Sequence, residues 1–158
     1  MQLRRGCRLW WLVLPLLACD RLTKLLAEAT LSPAGVREAI PGALSWAYVQ
    51  NRGMAFSLLS GRGALLILLS LALTAGILIY LLRHADDPAL ERAGLWLVVA
   101  GGLGNLWDRL AYGYVIDFIR LDFVRFAVFN LADVFVCAGA ALVVISLLSA
   151  ELRRKAHG

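Results

Sequence analysis

Residues 101–133 read GGLGNLWDRLAYGYVIDFIRLDFVRFAVFNLAD, and the placement of this stretch against a membrane decides the fold. It opens in an apolar, glycine-rich run and closes at the start of another, with Asp108, Asp117, Asp122 and Asp133 along it. Acidic side chains at membrane depth are costly and mark function by default. The rest of the chain settles the level at which these carboxylates lie.

The 158 residues are 61% hydrophobic and 17% charged, with a mean hydropathy of +0.75. A soluble domain is about half apolar and about a quarter charged. Here the excess is gathered into long runs, the mark of a polytopic membrane protein. The net charge of +5 does not point to nucleic acid, because the basic residues form no stripe. Arg4, Arg5 and Arg8 precede the first apolar run, while Arg153, Arg154 and Lys155 follow the last. Such end clusters read as cytoplasmic anchors facing anionic headgroups. Cys7, Cys19 and Cys137 have no metal or redox spacing, and their odd number argues against a disulfide framework. They read as small buried hydrophobes.

Four membrane spans are expected, at about 9–27, 64–82, 93–111 and 129–150, in one domain covering 1–158. The first has basic flanks and the run Leu16-Leu17-Ala18-Cys19, which looks like a lipoprotein signal peptide. Three further spans make an uncleaved helix the better reading, with Pro15 as a kink. Ala64–Leu82 is the clearest span, an uncharged run worth about 28 Å of helix. The third span carries Gly94, Gly101, Gly102 and Gly104, small residues that let helices approach closely. Residues 28–63 and 112–128 are polar connections. In the first, Pro33, Gly35, Pro41 and Gly42 break helix, and Leu44–Val49 alternates as a short strand does. The expected class is therefore an all-α membrane protein with four spans, both termini cytoplasmic, and a small extracytoplasmic β-like element.

With that topology Asp20, Asp108, Asp117 and Asp133 all fall near the outer membrane–water boundary. Asp20 and Lys24, four apart, share a helix face and read as a structural ion pair with Lys24 snorkelling outward. Asn51 has two open readings, a turn or cap for the chain or an amide that holds substrate backbone, and Gly53 relieves a tight backbone. The histidines, His84 and His157, both lie on the cytoplasmic side, so no Ser/His or Cys/His pair can form at the outer face. No HExxH or Walker pattern occurs. Carboxylate chemistry remains. Two desolvated carboxylates share a proton, so one can take a proton from water while the other donates one. Acids at this depth serve a proton- or ion-coupled carrier equally well, and composition leaves the two readings comparable.

Four motifs break the tie. DRLTK (20–24), NRGMAFS (51–57), GGLGNLWDRLAYGYVIDF (101–118) and FNLAD (129–133) together resemble the lipoprotein signal peptidases, signal peptidase II. They follow that family's order over essentially the whole chain. GN-x-x-DR followed by V-x-DF and FN-x-AD is highly specific.

The resemblance implies an intramembrane aspartic endopeptidase without cofactor or metal, with Asp117 and Asp133 as the catalytic dyad. Asp108 and Arg109 would support the site. Asn51, Gly53, Asn105 and Asn130 would position substrate or hold the aspartates, and Asp20 and Lys24 would form a structural pair. Asp122 matches no family motif and reads as a solvated loop acid. The implied substrate is a diacylglyceryl-modified prolipoprotein, cut just before its lipid-bearing cysteine. The implied setting is the bacterial cytoplasmic membrane, with membrane lipids as partners, an active site toward the extracytoplasmic face, and a chain acting as a monomer. The connection 28–63 could fold over the site, with Trp46 and Tyr48 at the interface. Two departures from the family pattern, Arg21 where Gln is frequent and a short segment between the two aspartates, bear on loop shape and substrate preference. The competing readings are a tetraspan carrier using the same acids and a scaffold that only holds substrate.

Overall fold

A computed structural model describes residues 5–32, 35–53 and 63–157. Pro33, the Met54–Ser57 part of the second motif, and the side chains of Arg4, Arg5, Cys7 and Arg8 lie outside the described residues. Four α-helices are present among the described residues: α1 (Val13–Leu31), α2 (Gly63–Arg83), α3 (Ala89–Tyr112) and α4 (Leu131–His157). Three strands, β1 (Arg37–Ile40), β2 (Leu44–Asn51) and β3 (Val115–Leu121), form one antiparallel sheet in the order β1-β2-β3. By length and composition α2 and most of α4 could cross a membrane, with mean hydropathies of 2.7 and 2.5. Their many exposed leucines and valines match a lipid-facing surface.

A 3₁₀ segment, Arg5–Leu12, leads into α1. Pro15 therefore falls in the first turn of α1, where its missing N–H has no helical partner to lose. The kink expected within a span starting at residue 9 is replaced by this change of helix type. Helix α3 starts directly after Pro88 and stops at Gly113, whose left-handed φ of 75° lets its N–H reach the carbonyl of Arg109 at 3.1 Å. That stop turns the chain straight into β3.

Helices α3 and α4 pack closely because glycine meets glycine. A side chain on Gly94 would strike the Gly139 backbone, and one on Gly101 would strike that of Ala132. One apolar cluster joins Val13, Leu81, Trp96, Val99 and Ala100 from three helices, and another packs Ala27 and Leu31 against Phe118 of β3. The second cluster ties the sheet to the end of α1.

The expected strand at 44–49 extends to Asn51, and it has two partners the alternation did not reveal. One of them, β3, runs through what was expected to be a loop. Cys19 and Cys137 are exposed on their helices, which corrects their reading as buried hydrophobes. Asp122 is held by Ser45 Oγ at 2.5 Å and Arg120 Nε at 2.8 Å, so it fastens β2 to the end of β3 rather than standing free in solvent.

Candidate active site

The first turn of α4 is built by the sequence Asn130-Leu131-Ala132-Asp133 acting as a reciprocal cap. The Asn130 side-chain oxygen accepts the Asp133 N–H at 3.1 Å, and Asp133 Oδ2 accepts the Asn130 N–H at 3.1 Å. This satisfies two helix-start donors and places the Asp133 carboxylate at the positive end of the helix dipole. Asp20 of α1 reaches across to a third such donor, accepting the Ala132 N–H at 3.0 Å. That approach needs Gly104, because a Cβ there would come within 2.6 Å of Asp20 Oδ2.

Strand β3 brings Asp117 to the same place. Antiparallel pairing puts Val49 opposite Asp117 and Asn51 opposite Val115, after a register shift between Trp46 and Val49. Asn51 is thereby the diagonal neighbour of Asp117, and its Nδ2 donates to Asp117 Oδ2 at 2.8 Å. Asn51 Oδ1 in turn accepts the Gly53 N–H at 2.9 Å, so both the turn role and a site role are realised, the latter toward an aspartate.

Two asparagines connect the carboxylates. Asn130 Nδ2 donates to Asp117 Oδ1 at 2.7 Å and to Asn105 Oδ1 at 3.0 Å, while Asn105 Nδ2 donates to Asp133 Oδ1 at 2.7 Å. Asp117 and Asp133 line one cavity of about 530 Å³ together with Asn51, Asn105 and Arg109. Its remaining wall is apolar, from Phe126–Phe129 of the β3–α4 segment and from Val134, Val136 and Cys137 of α4. Burial raises the Asp117 carboxyl to about 7; the nearby Asp133 charge adds to this, while the Asn51 and Asn130 amides and Lys24 oppose it.

Behind the cavity lies an ion cluster. Lys24 Nζ is 2.8 Å from Asp20 Oδ2, 3.0 Å from Asp108 Oδ2 and 3.0 Å from Asn105 Oδ1. Its side chain is 0% exposed, so it points inward and does not snorkel. The reason is that its partners come from α3 as well as from α1. Arg21 Nη1 closes the cluster on Asp108 Oδ1 at 3.0 Å, with its Nη2 on the Tyr112 hydroxyl at 2.5 Å. Asp108 also accepts the Ile116 N–H at 3.3 Å and so steadies β3 beside Asp117. Arg109 donates to the carbonyls of Gly53 at 3.2 Å and of Asn105 at 3.3 Å.

All ten residues singled out in the sequence thus join one connected network. The reading missed the cap formed by Asn130, although the N-x-x-D spacing carries that signal. It also missed Tyr112, for which no local signal exists. Asn105, Asn130 and Asn51 hold the Asp117 and Asp133 carboxylates through neutral amides.

Known proteins resemble this chain over most of its length. Residues 12–149 match the family described as signal peptidase (SPase) II. The lipoprotein signal peptidase of Streptococcus pneumoniae is 38% identical over 141 residues, which is 89% of this chain and 92% of the relative. That of Streptococcus pyogenes is 39% identical over 136 residues, 86% of this chain and 90% of the relative. A bacterial membrane enzyme solved by the in meso method at 2.3 Å resolution superposes with a TM-score of 0.79 and 27% identity, covering 87% of this chain and 85% of the other. A second, at 1.9 Å resolution, gives 0.78 and 28%, covering 86% and 89%.

Proposed function

This chain belongs to the signal peptidase II family and removes signal peptides from prolipoproteins, and from that premise we propose that Asp117 and Asp133 carry the hydrolysis. The single observation that supports the assignment is the shared cavity: two carboxylates, held among the described residues by three side-chain amides and one backbone N–H, facing the same apolar groove. Asp117 is the acid, since burial and its neighbour's charge keep its proton into the neutral range. Asp133, at the start of α4, is the base.

The ionised Asp133 takes a proton from water, and the oxygen attacks the scissile carbonyl carbon while Asp117 protonates the carbonyl oxygen. Collapse of the tetrahedral intermediate returns a proton to the departing amine. The peptide C–N bond breaks, with water supplying the new carboxyl and amine ends. No covalent enzyme intermediate is required.

The substrate reading is a diacylglyceryl-modified precursor cleaved just before its modified cysteine. An acyl anchor, at about 0.8 kcal/mol per buried methylene, would hold that bond at a fixed depth. It would also turn encounter into positioning. All four helices cross the bacterial cytoplasmic membrane in this reading, both termini are cytoplasmic, and the dyad lies toward the outer face. The sheet, with Trp46 half-exposed against Phe118, lies at that interface. Purified protein given lipidated and unlipidated precursor side by side tests the proposal. Asp117→Asn and Asp133→Asn should each abolish cleavage of the lipidated form while the protein still inserts; cleavage by either variant removes the assignment. The carrier reading draws no support from the relatives.

A further inference from the structure

Three cations and four carboxylates meet in the network: Arg21 and Lys24 from α1, Arg109 from α3, against Asp20, Asp108, Asp117 and Asp133. The cations are not shared evenly. Lys24 is spent on Asp20 and Asp108, Arg21 on Asp108, and Arg109 on two backbone carbonyls. Balance inside a desolvated cluster requires one proton on a carboxylate, and the carboxylates left to neutral donors are Asp117 and Asp133.

The same ammonium also settles an ambiguity of shape. An asparagine amide can lie either way round, and only one way presents its NH2 to a carboxylate. Asn105 Oδ1 is claimed by Lys24 Nζ and by Asn130 Nδ2, both pure donors, which forces Nδ2 toward Asp133.

We infer that Lys24 is a positioning residue for the dyad: it fixes the Asn105 amide with its NH2 toward Asp133, and it supplies the positive charge that limits the Asp117–Asp133 pair to one shared proton. This rests on the reading of that pair as the hydrolytic one. Lys24 touches neither carboxylate of the pair, so its effect passes through Asn105 and through the field.

Full-length enzyme cleaving a lipidated prolipoprotein tests this through kcat, KM and the pH profile. Lys24→Met should lower kcat about 100-fold with KM nearly unchanged, as misplaced catalytic groups do. Its basic limb should move to higher pH by about one unit, because a lost cation favours the protonated pair. Lys24→Gln keeps a donor for Asn105 without the charge, so the limb should move equally while kcat falls less. The double variant Lys24→Met/Asp20→Asn removes one charge of each sign, and its limb should return toward that of the wild type while kcat stays low. A purely structural lysine would reduce the folded yield and leave the limb in place, and that outcome overturns the inference. Should Lys24→Met and Lys24→Gln fail to fold, Lys24→Arg decides, since it keeps both the charge and a donor: a basic limb within a few tenths of a unit of the wild type with kcat recovered to within about 10-fold supports the inference, and a limb displaced as far as a lost charge would displace it overturns it. Cleavage surviving in Asp117→Asn or Asp133→Asn would instead defeat the hydrolytic reading itself.

Discussion

Two pairs of aspartates, a few ångströms apart in one network, have opposite surroundings. Asp20 and Asp108 are each in contact with the buried Lys24, and Asp108 also with the partly exposed Arg21. Asp117 and Asp133 are held by the amides of Asn51, Asn105 and Asn130 and by one backbone N–H. The residue type is the same, and so is the burial of three of the four. On the proposed assignment, what separates structural from chemical roles is the partner: a cation satisfies a carboxylate, whereas an amide orients it and leaves its proton free to move.

The contrast breaks most sharply under mutation. Asp117→Asn should cost about 10³-fold or more in kcat, since it removes the acid, while leaving the ion cluster and the folded yield intact. Asp108→Ala should do the reverse in stability: it leaves Lys24 with Asp20 as its one carboxylate and takes the carboxylate partner from Arg21, at a cost of about 3 kcal/mol, read as a fall in the thermal midpoint of purified protein. If Asp117→Asn destabilised as much as Asp108→Ala, the division between the two pairs would disappear.

A smaller effect sharpens the same line. Asp117 is raised from 3.8 to about 7 on folding, so its contribution to stability is fully present below the lower value and lost as pH rises through the upper one. The penalty at mildly alkaline pH is on the order of 4 kcal/mol. Asp117→Asn should therefore flatten the fall in thermal midpoint between acid and alkaline pH. A midpoint that fell just as steeply in the variant would argue against a desolvated Asp117.

The smallest expected effect is that of Arg21→Gln. Arg21 closes the outer side of the ion cluster, and it remains partly exposed, with a neighbour in Lys24 that still serves Asp108. Its loss should cost about 1 kcal/mol or less, with kcat within a few-fold of the wild type.

Much of this was legible beforehand, for reasons tied to particular residues. The uncharged run from Ala64 to Leu82 reads as helix from length alone, and α2 occupies it. Leu44–Val49 shows the alternation of a half-buried strand, and β2 lies there. Strand β3 was hidden because Val115, Ile116, Asp117 and Phe118 are all buried, which erases the alternation, and a charge in the middle mimics a loop. Every residue of β1 is exposed, so it has no pattern to read. The four-residue spacing announced the Asp20–Lys24 pair, but the inward course of Lys24 depends on Asn105 and Asp108, far along the chain. Exposure of Cys19 and Cys137 was misread for a related reason: in lipid, an apolar side chain has no need to turn inward.

Whether Asp117 and Asp133 share a single proton is decided by the pH dependence of kcat/KM on a lipidated prolipoprotein. A shared proton gives a bell with a basic limb in the neutral to mildly alkaline range, where Asp117 gives up its proton. A rate that stayed level across that range would contradict it.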